Sequence, residues 1–359
     1  MSQVNNAKAI VTDVTGLTLS DEERAVFRDM PPAGFILFQR NCADPSQIRD
    51  LVATLRDVIG NADAPILIDQ EGGTVSRLKA PVFQEFPAAK TFYTFYRDNP
   101  GRAMEALVLN AELMAAQLAD LGITVNCAPV VDVPSPDGHK FLSASRVYGE
   151  DATTVSILAG LVMRSFLSCG VTPILKHIPG HGRATVDSHY DVPVVDADMN
   201  TLRETDFAAF KKLNEIKGAW AMTAHVIFSA IDDAAPATLS GEVFDKAIRG
   251  AIGFDGLVIA DCVSMQALSG TMAERAVGSI NAGCDLTLLC NQDLATRRSV
   301  LKAVPEISPL AQKRMAEAEK IRQNGKKQVD IKTVSHELEQ LLNGVEFDNH
   351  AAYVSPGVA

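Results

Sequence analysis

The chain has 359 residues, 47% of them hydrophobic and 21% charged, with a formal net charge of −11. A mean hydropathy of +0.07 fits a well-cored globule, long enough for one large α/β barrel or two ordinary domains. The acidic balance argues against a nucleic-acid binder, which carries a basic patch. No apolar run approaches the about 20 residues of a membrane span.

Residues 1–8 lack the basic segment and apolar run of a signal peptide, so a cytoplasmic protein is expected. Short apolar, β-branched runs then recur along the chain, at residues 9–14, 34–38, 65–69, 123–133, 171–177, 219–225, 256–261 and 284–290. Most are apolar on consecutive positions, as parallel strands covered on both faces are. Helical patterns separate them. Ser20-Asp21-Glu22-Glu23 reads as a cap with an acidic first turn. Residues 46–58 place Ile48, Leu51, Val52, Leu55 and Val58 at helical spacing. Residues 104–121, 153–167, 201–213 and 240–252 follow the same logic.

Eight strand–helix alternations predict a (β/α)8 TIM barrel. An open doubly wound sheet is the weaker alternative, since no G-x-G-x-x-G follows the first strand. The barrel is expected over residues 1–305. Residues 306–359, with charged helical stretches at 308–323 and 334–342, are expected to form a C-terminal helical extension packed on it. The six cysteines lack C-x-x-C spacing and read as reduced thiols in apolar segments.

Active sites of such barrels form at the C-terminal ends of the strands, and these ends are polar here. The third run ends at Asp69, followed by Glu71 and Arg77; the fourth ends at Asp132. The fifth runs into Lys176-His177-Ile178-Pro179-Gly180-His181-Gly182, with Asp187-Ser188-His189 close behind; the sixth ends at His225 and the seventh at Asp261. Polar groups gathered at one mouth of an apolar barrel suit a polyhydroxylated ligand.

Asp69 serves either as an acceptor for vicinal sugar hydroxyls or as a partner of Arg77. Lys176 and His177 can donate to the same sugar, while Arg146 is either a ligand or a pairing arginine. Asp187 and His189 are two apart, so an extended loop points both to one side. A carboxylate there orients the imidazole and supports its protonated form, as a general acid/base requires. Asp261 ends a wholly apolar strand and is the candidate nucleophile for a covalent glycosyl intermediate. His177 and His181 have the spacing of a zinc-binding helical pair, but Pro179-Gly180 opposes a helix between them, so no metal site is expected and His181 is expected to tie down the loop.

The segment 176–182 with Asp187-Ser188-His189 resembles the signature of bacterial β-N-acetylglucosaminidases of glycoside hydrolase family 3. Asp69-Gln70-Glu71-Gly72-Gly73 with Arg77, Ser145-Arg146-Val147-Tyr148-Gly149-Glu150-Asp151, and Gly253-Phe254-Asp255-Gly256 leading to Asp261 are similar to further motifs of that family. The resemblance implies a retaining exo-hydrolase of terminal β-linked N-acetylglucosamine. It implies Asp261 as nucleophile, His189 as acid/base with Asp187 polarising it, and Asp69, Arg77, Arg146, Lys176 and His177 holding the sugar. In short cytoplasmic members it implies a GlcNAc-anhydro-N-acetylmuramic acid muropeptide from cell-wall recycling as substrate, no cofactor, and no nucleic-acid or membrane partner. A monomer or weak homo-oligomer is expected.

Cys262 stands where many members carry a second aspartate, Ser145 where asparagine is common, and Gln266 where glutamate is common. A β-N-acetylglucosaminide phosphorylase and a non-catalytic sugar-binding protein are the alternatives.

Overall fold

The structure is a computed structural model and describes residues 6–186, 188 and 191–346. Eight parallel strands close into a barrel in chain order: β1 (Lys8–Thr12), β2 (Pro32–Leu37), β3 (Ile66–Ile68), β4 (Val125–Asn126), β5 (Thr172–Ile178), β6 (Trp220–Thr223), β7 (Val258–Cys262) and β8 (Leu286–Leu289). β8 closes on β1 with Ile10 opposite Thr287 and Thr12 opposite Leu289. This is the expected (β/α)8 barrel, and each strand overlaps one of the eight apolar runs. Every residue of β2 and β5 is buried, which is why these runs show no polar alternation.

The helices start where local chemistry starts them. Ser20 caps Asp21–Asp29 in a reciprocal capping box with Glu23. Asp44 caps Pro45–Val58, with proline at the first turn where its missing N–H costs nothing. Asp151 caps Ala152–Ser168 through the Thr153 and Thr154 amides.

Three expectations are corrected. The 123–133 run is a strand only at Val125–Asn126. Pro129 brings no N–H to the ladder, and pairing resumes beyond it, with the Val131 N–H donating to the Lys176 carbonyl at 2.6 Å. The 201–213 helix is two helices, Met199–Glu204 and Asp206–Leu213, broken at Thr205. The break turns the buried Asp206 toward Arg183, 2.6 Å away. Residues 244–251 also depart from an α-helix, forming a π-helix.

The barrel is closed electrostatically as well as by its sheet. Arg297, from helix Leu294–Ala303, reaches Asp13 at 2.9 Å, Glu23 at 3.3 Å and Thr15 Oγ1 at 3.1 Å. Helices Pro309–Asn324 and Ile331–Leu342 lie on the outside. Arg102 donates to the carbonyls of Gln340 and Asn343, and Arg314 donates to Asp285 at 2.7 Å. No helix among the described residues is long and apolar enough to cross a membrane.

Asp285, 7% exposed, accepts from Arg314, Arg249 and the Val258 N–H, joining an outer helix to β7. Asp285→Ala strands two arginines against a buried wall and is expected to cost about 3 kcal/mol or more. Urea unfolding checks this: the midpoint should fall with the slope unchanged.

Candidate active site

The C-terminal ends of the strands surround a cavity of about 240 Å³ lined by, among others, Asp69, Arg77, Arg146, Lys176, His177 and Asp261. These six sequence candidates therefore share one mouth. Asp187 and His189 lie outside the described residues. Ser188, the residue between them in the chain, lines the same cavity as Asp261.

One wall is an ionic network. Lys176, 3% exposed, lies 3.1 Å from Asp69 Oδ1 and 2.7 Å from Glu71 Oε1. Arg77 donates to Asp69 Oδ2 at 3.1 Å, and Arg146 grips Glu71 through Nε and Nη2 at 2.9 and 2.8 Å. Burial opposes the charge on Asp69, but Lys176 and Arg77 outweigh it and hold the carboxyl well below its usual range. Burial likewise opposes Glu71, and Arg146 and Lys176 bring it down to about 2. Burial disfavours the Lys176 ammonium, yet Glu71 and Asp69 raise its pKa above the ordinary value. Asp69 has thus both the ligand-like place and the Arg77 pairing weighed for it. Each of its oxygens spends one acceptor site on a cation, which leaves sites for hydroxyl donors.

Asp132 organises the second wall. Its Oδ1 accepts the main-chain N–H of His177 at 3.1 Å and of His181 at 2.7 Å; its Oδ2 lies 2.7 Å from His177 Nδ1. A carboxylate only accepts, so Nδ1 carries the proton and Nε2 is left for the cavity. Burial disfavours the Asp132 charge, but His177 outweighs it and lowers the pKa. His181 ties the loop as expected: its Nε2 lies 3.2 Å from Ser188 Oγ. Burial, reinforced by His177, brings its pKa down to about 4, so it is neutral near pH 7. β5 runs straight through His177 to Ile178, so the two histidines share no helical face.

Glycine lets this loop sit close. A Cβ on Gly182 would lie 1.9 Å from the Val133 carbonyl oxygen. The Ser188 carbonyl accepts from the Ala267 N–H at 3.3 Å, tying the loop to the segment after β7.

Asp261 stands at the end of β7, half-buried. Its Oδ1 accepts the Cys262 N–H at 2.7 Å and its own N–H donates to Thr223 Oγ1 at 3.3 Å. Burial disfavours its charge, but the imidazoles of His225 and His177 outweigh it and lower the pKa. His225 Nε2 donates to the Cys262 carbonyl at 3.0 Å, while its Nδ1 lies 2.7 Å from Thr238 Oγ1, which is 2.7 Å from Thr223 Oγ1. The nucleophile candidate is therefore bracketed by a polar chain. The sequence offered Asp132 and His225 as strand-end polar residues, and Glu71 as a brace. Thr223 and Thr238 carried no signal of their own.

The model of the glycosyl hydrolase family 3 N-terminal domain matches residues 3–323. The β-hexosaminidase of Methylobacillus flagellatus is 32% identical over 79% of this chain and 80% of its own length. That of Alkalilimnicola ehrlichii is 32% identical over 89% and 90%. Among solved structures, a family 3 β-N-acetylglucosaminidase from Paenibacillus superposes with a TM-score of 0.80 at 29% identity, covering 94% of this chain and 67% of that one. NagZ from Neisseria gonorrhoeae, in complex with N-trifluoroacetyl-D-glucosamine, gives 0.82 at 25% identity, covering 94% and 98%.

Glu71→Gln removes a buried carboxylate from two cations and is expected to lose about 3–5 kcal/mol at pH 7. Because the folded pKa is depressed, from 4.5 to about 2, the contribution is complete above about pH 4.5 and is lost as pH falls through about 2. Urea titrations of both proteins across that window should show the gap narrowing. A constant gap would mean packing, not charge, carries it.

Proposed function

Because the chain belongs to glycoside hydrolase family 3 and is a glycosidase, we propose that it is a retaining exo-β-N-acetylglucosaminidase. The observation that carries this reading is the shared cavity: an ionised Asp261 at the end of β7, with Ser188, flanked in sequence by Asp187 and His189, on the same lining.

In this reading Asp69, Arg77, Arg146, Lys176 and His177 bind the terminal sugar. Asp69 accepts from hydroxyls, and Lys176 donates to them; His177 meets the same sugar through Nε2. Arg146, paired with Glu71, also keeps the wall rigid. Asp261 attacks the anomeric carbon while His189 protonates the leaving oxygen, with Asp187 steadying the imidazolium. The first displacement inverts the anomeric centre. Water, deprotonated by the same imidazole, then attacks the glycosyl–Asp261 ester and inverts it again.

A cavity of about 240 Å³ lies below the roughly 300–1,000 Å³ of common ligand pockets, which favours one terminal ring over an internal chain segment. An N-acylglucosamine as that ring is supported by the relatives named β-hexosaminidase and by the ligand of the Neisseria structure. The fuller substrate we assign is the GlcNAc-anhydro-N-acetylmuramic acid muropeptide, cleaved in the cytoplasm by a monomer or weak homo-oligomer. This rests on the family resemblance of the loop and nucleophile motifs. Hydrolysis is favoured over phosphorolysis because Lys176, Arg77 and Arg146 already hold carboxylates, which leaves the described wall poorly suited to a phosphate.

A 2-fluoro or 5-fluoro glycosyl inactivator followed by peptide mapping should label Asp261. Asp261→Ala should lose about 10⁴-fold or more in kcat on an aryl β-GlcNAc substrate; label on another side chain, or near-full activity, refutes the assignment. His189→Ala should slow poor leaving groups by about 10²–10⁴-fold and activated aryl groups much less. Equal losses would remove His189 from the acid role. In phosphate buffer the product should be the free sugar, and sugar-1-phosphate would make the enzyme a phosphorylase.

A further inference from the structure

Two exposed side chains line the candidate active-site cavity, and both are carboxamides: Gln266, beyond β7, and Asn291, beyond β8. The sugar-binding wall lies deeper, with Lys176 and His177 only 3% and 5% exposed. A terminal ring anchored on that wall enters first, so the group bonded to its anomeric carbon lies toward the exposed rim.

Asn291 is held from three sides. Its N–H donates to Asp13 Oδ2 at 2.8 Å, its carbonyl accepts from Gln292 Nε2 at 3.1 Å, and its Oδ1 accepts from Arg40 Nη1 at 2.8 Å. Arg40 has only donors, so the carboxamide atom facing it is the oxygen, and Nδ2 is the end left for a ligand. Asn291 also has a φ of +58°, and it is the one non-glycine residue with positive φ among the described residues. Asparagine tolerates this left-handed conformation better than most side chains, and such positions cluster where ligands are gripped. Arg40 is itself fixed: it pairs with Asp13 and lies 4.7 Å over the ring of Phe38, another residue of the cavity wall.

An exposed side chain ordinarily loses rotamer freedom when it meets a ligand. Asn291 has lost it beforehand. Donation from the guanidinium into Oδ1 also polarises the amide and makes Nδ2 a stronger donor. Such a donor favours the strong acceptor of an acyl group, a carboxylate or an amide carbonyl, over a hydroxyl.

We infer that Asn291 is a specificity residue for the leaving group: its Nδ2 donates to an acyl oxygen of the aglycone, and Arg40 positions it to do so. The inference rests on the exo-glycosidase reading above and deepens it, by making the preferred aglycone one that carries an acyl oxygen close to the scissile bond. The contact lasts from binding until the aglycone departs. It therefore acts on kcat/KM and leaves hydrolysis of the glycosyl–Asp261 ester untouched.

The test compares three substrates: phenyl β-GlcNAc, whose aglycone has no acyl oxygen; diacetylchitobiose, whose aglycone has an amide carbonyl; and the GlcNAc–N-acetylmuramic acid disaccharide, which adds a carboxylate. Glycine suits this φ and keeps the N–H, so Asn291→Gly removes the carboxamide alone. It should lower kcat/KM about 3–10-fold on chitobiose and about 10–100-fold on the muramic acid disaccharide, but less than about twofold on the phenyl substrate. A larger loss on the muramic acid disaccharide marks the carboxylate as the acceptor, and equal losses on the two disaccharides mark the amide carbonyl. Asn291→Asp, which keeps an oxygen for Arg40 but has no donor, should reproduce the losses. Arg40→Met, which leaves Asp13 its partner Arg297, should give the same order of substrates with smaller losses. Equal losses on all three substrates, as a merely structural role would give, or no loss on the disaccharides would overturn the inference. Calorimetry of the disaccharides with Asp261→Ala protein, with and without Asn291→Gly, needs no turnover. Affinity should fall about threefold or more; equal affinity, or no binding by either protein, overturns the inference. Failure of the unaltered enzyme to cleave phenyl β-GlcNAc while that difference in affinity persists would sink the hydrolase reading alone.

Discussion

The mouth of this barrel depends on one buried ammonium. Lys176 sits between Asp69 and Glu71, and each carboxylate is held from its other side by an arginine. Isolated, any of these groups would be expensive to bury; together they form a chain of alternating sign. The chain joins the end of β3, the segment carrying Arg146 and the end of β5. A polar wall is thereby made rigid, and rigidity is what a site needs if its donors and acceptors are to meet fixed hydroxyls. A buried network of this kind is weak as a source of net stability, and its value lies in fixing positions.

Asp132 does for the neighbouring loop what Lys176 does for that wall. One carboxylate holds two successive stretches of backbone and one ring. Asp206, turned inward by the break at Thr205, takes Arg183 a few residues farther along. The path from β5 to Ser188 is therefore pinned by anions from the strand-four and helix segments, and by glycine where backbones meet.

Much of this was legible in the residues. Parallel strands buried on both faces leave consecutive apolar runs, so all eight strands could be located, and their polar ends showed which residues would crowd the mouth. Partnerships were harder to see. Glu71 could be suspected of bracing, but its two cations come from residues 146 and 176, and no local pattern announces them. The helix break at Thr205 serves a contact with Arg183, so propensity alone drew one continuous helix. Pro129 divides a run that hydropathy showed as a single strand. Thr223 and Thr238, polar links beside Asp261, look like ordinary strand and loop threonines until the fold brings them together.

The clasp between Asp13 and Arg297 has a consequence for how the protein is made. β1 finds one of its two neighbours, β8, only among residues 286–289, and Asp13, already within reach of Arg40, finds its second guanidinium at residue 297. A ribosome delivers the first strand long before either. Until then the nascent sheet has an open edge, an invitation to stray pairing, and a carboxylate held by one of its two guanidinium partners. Ring closure is thus a late event in synthesis, and the sheet's edges stay open for most of translation.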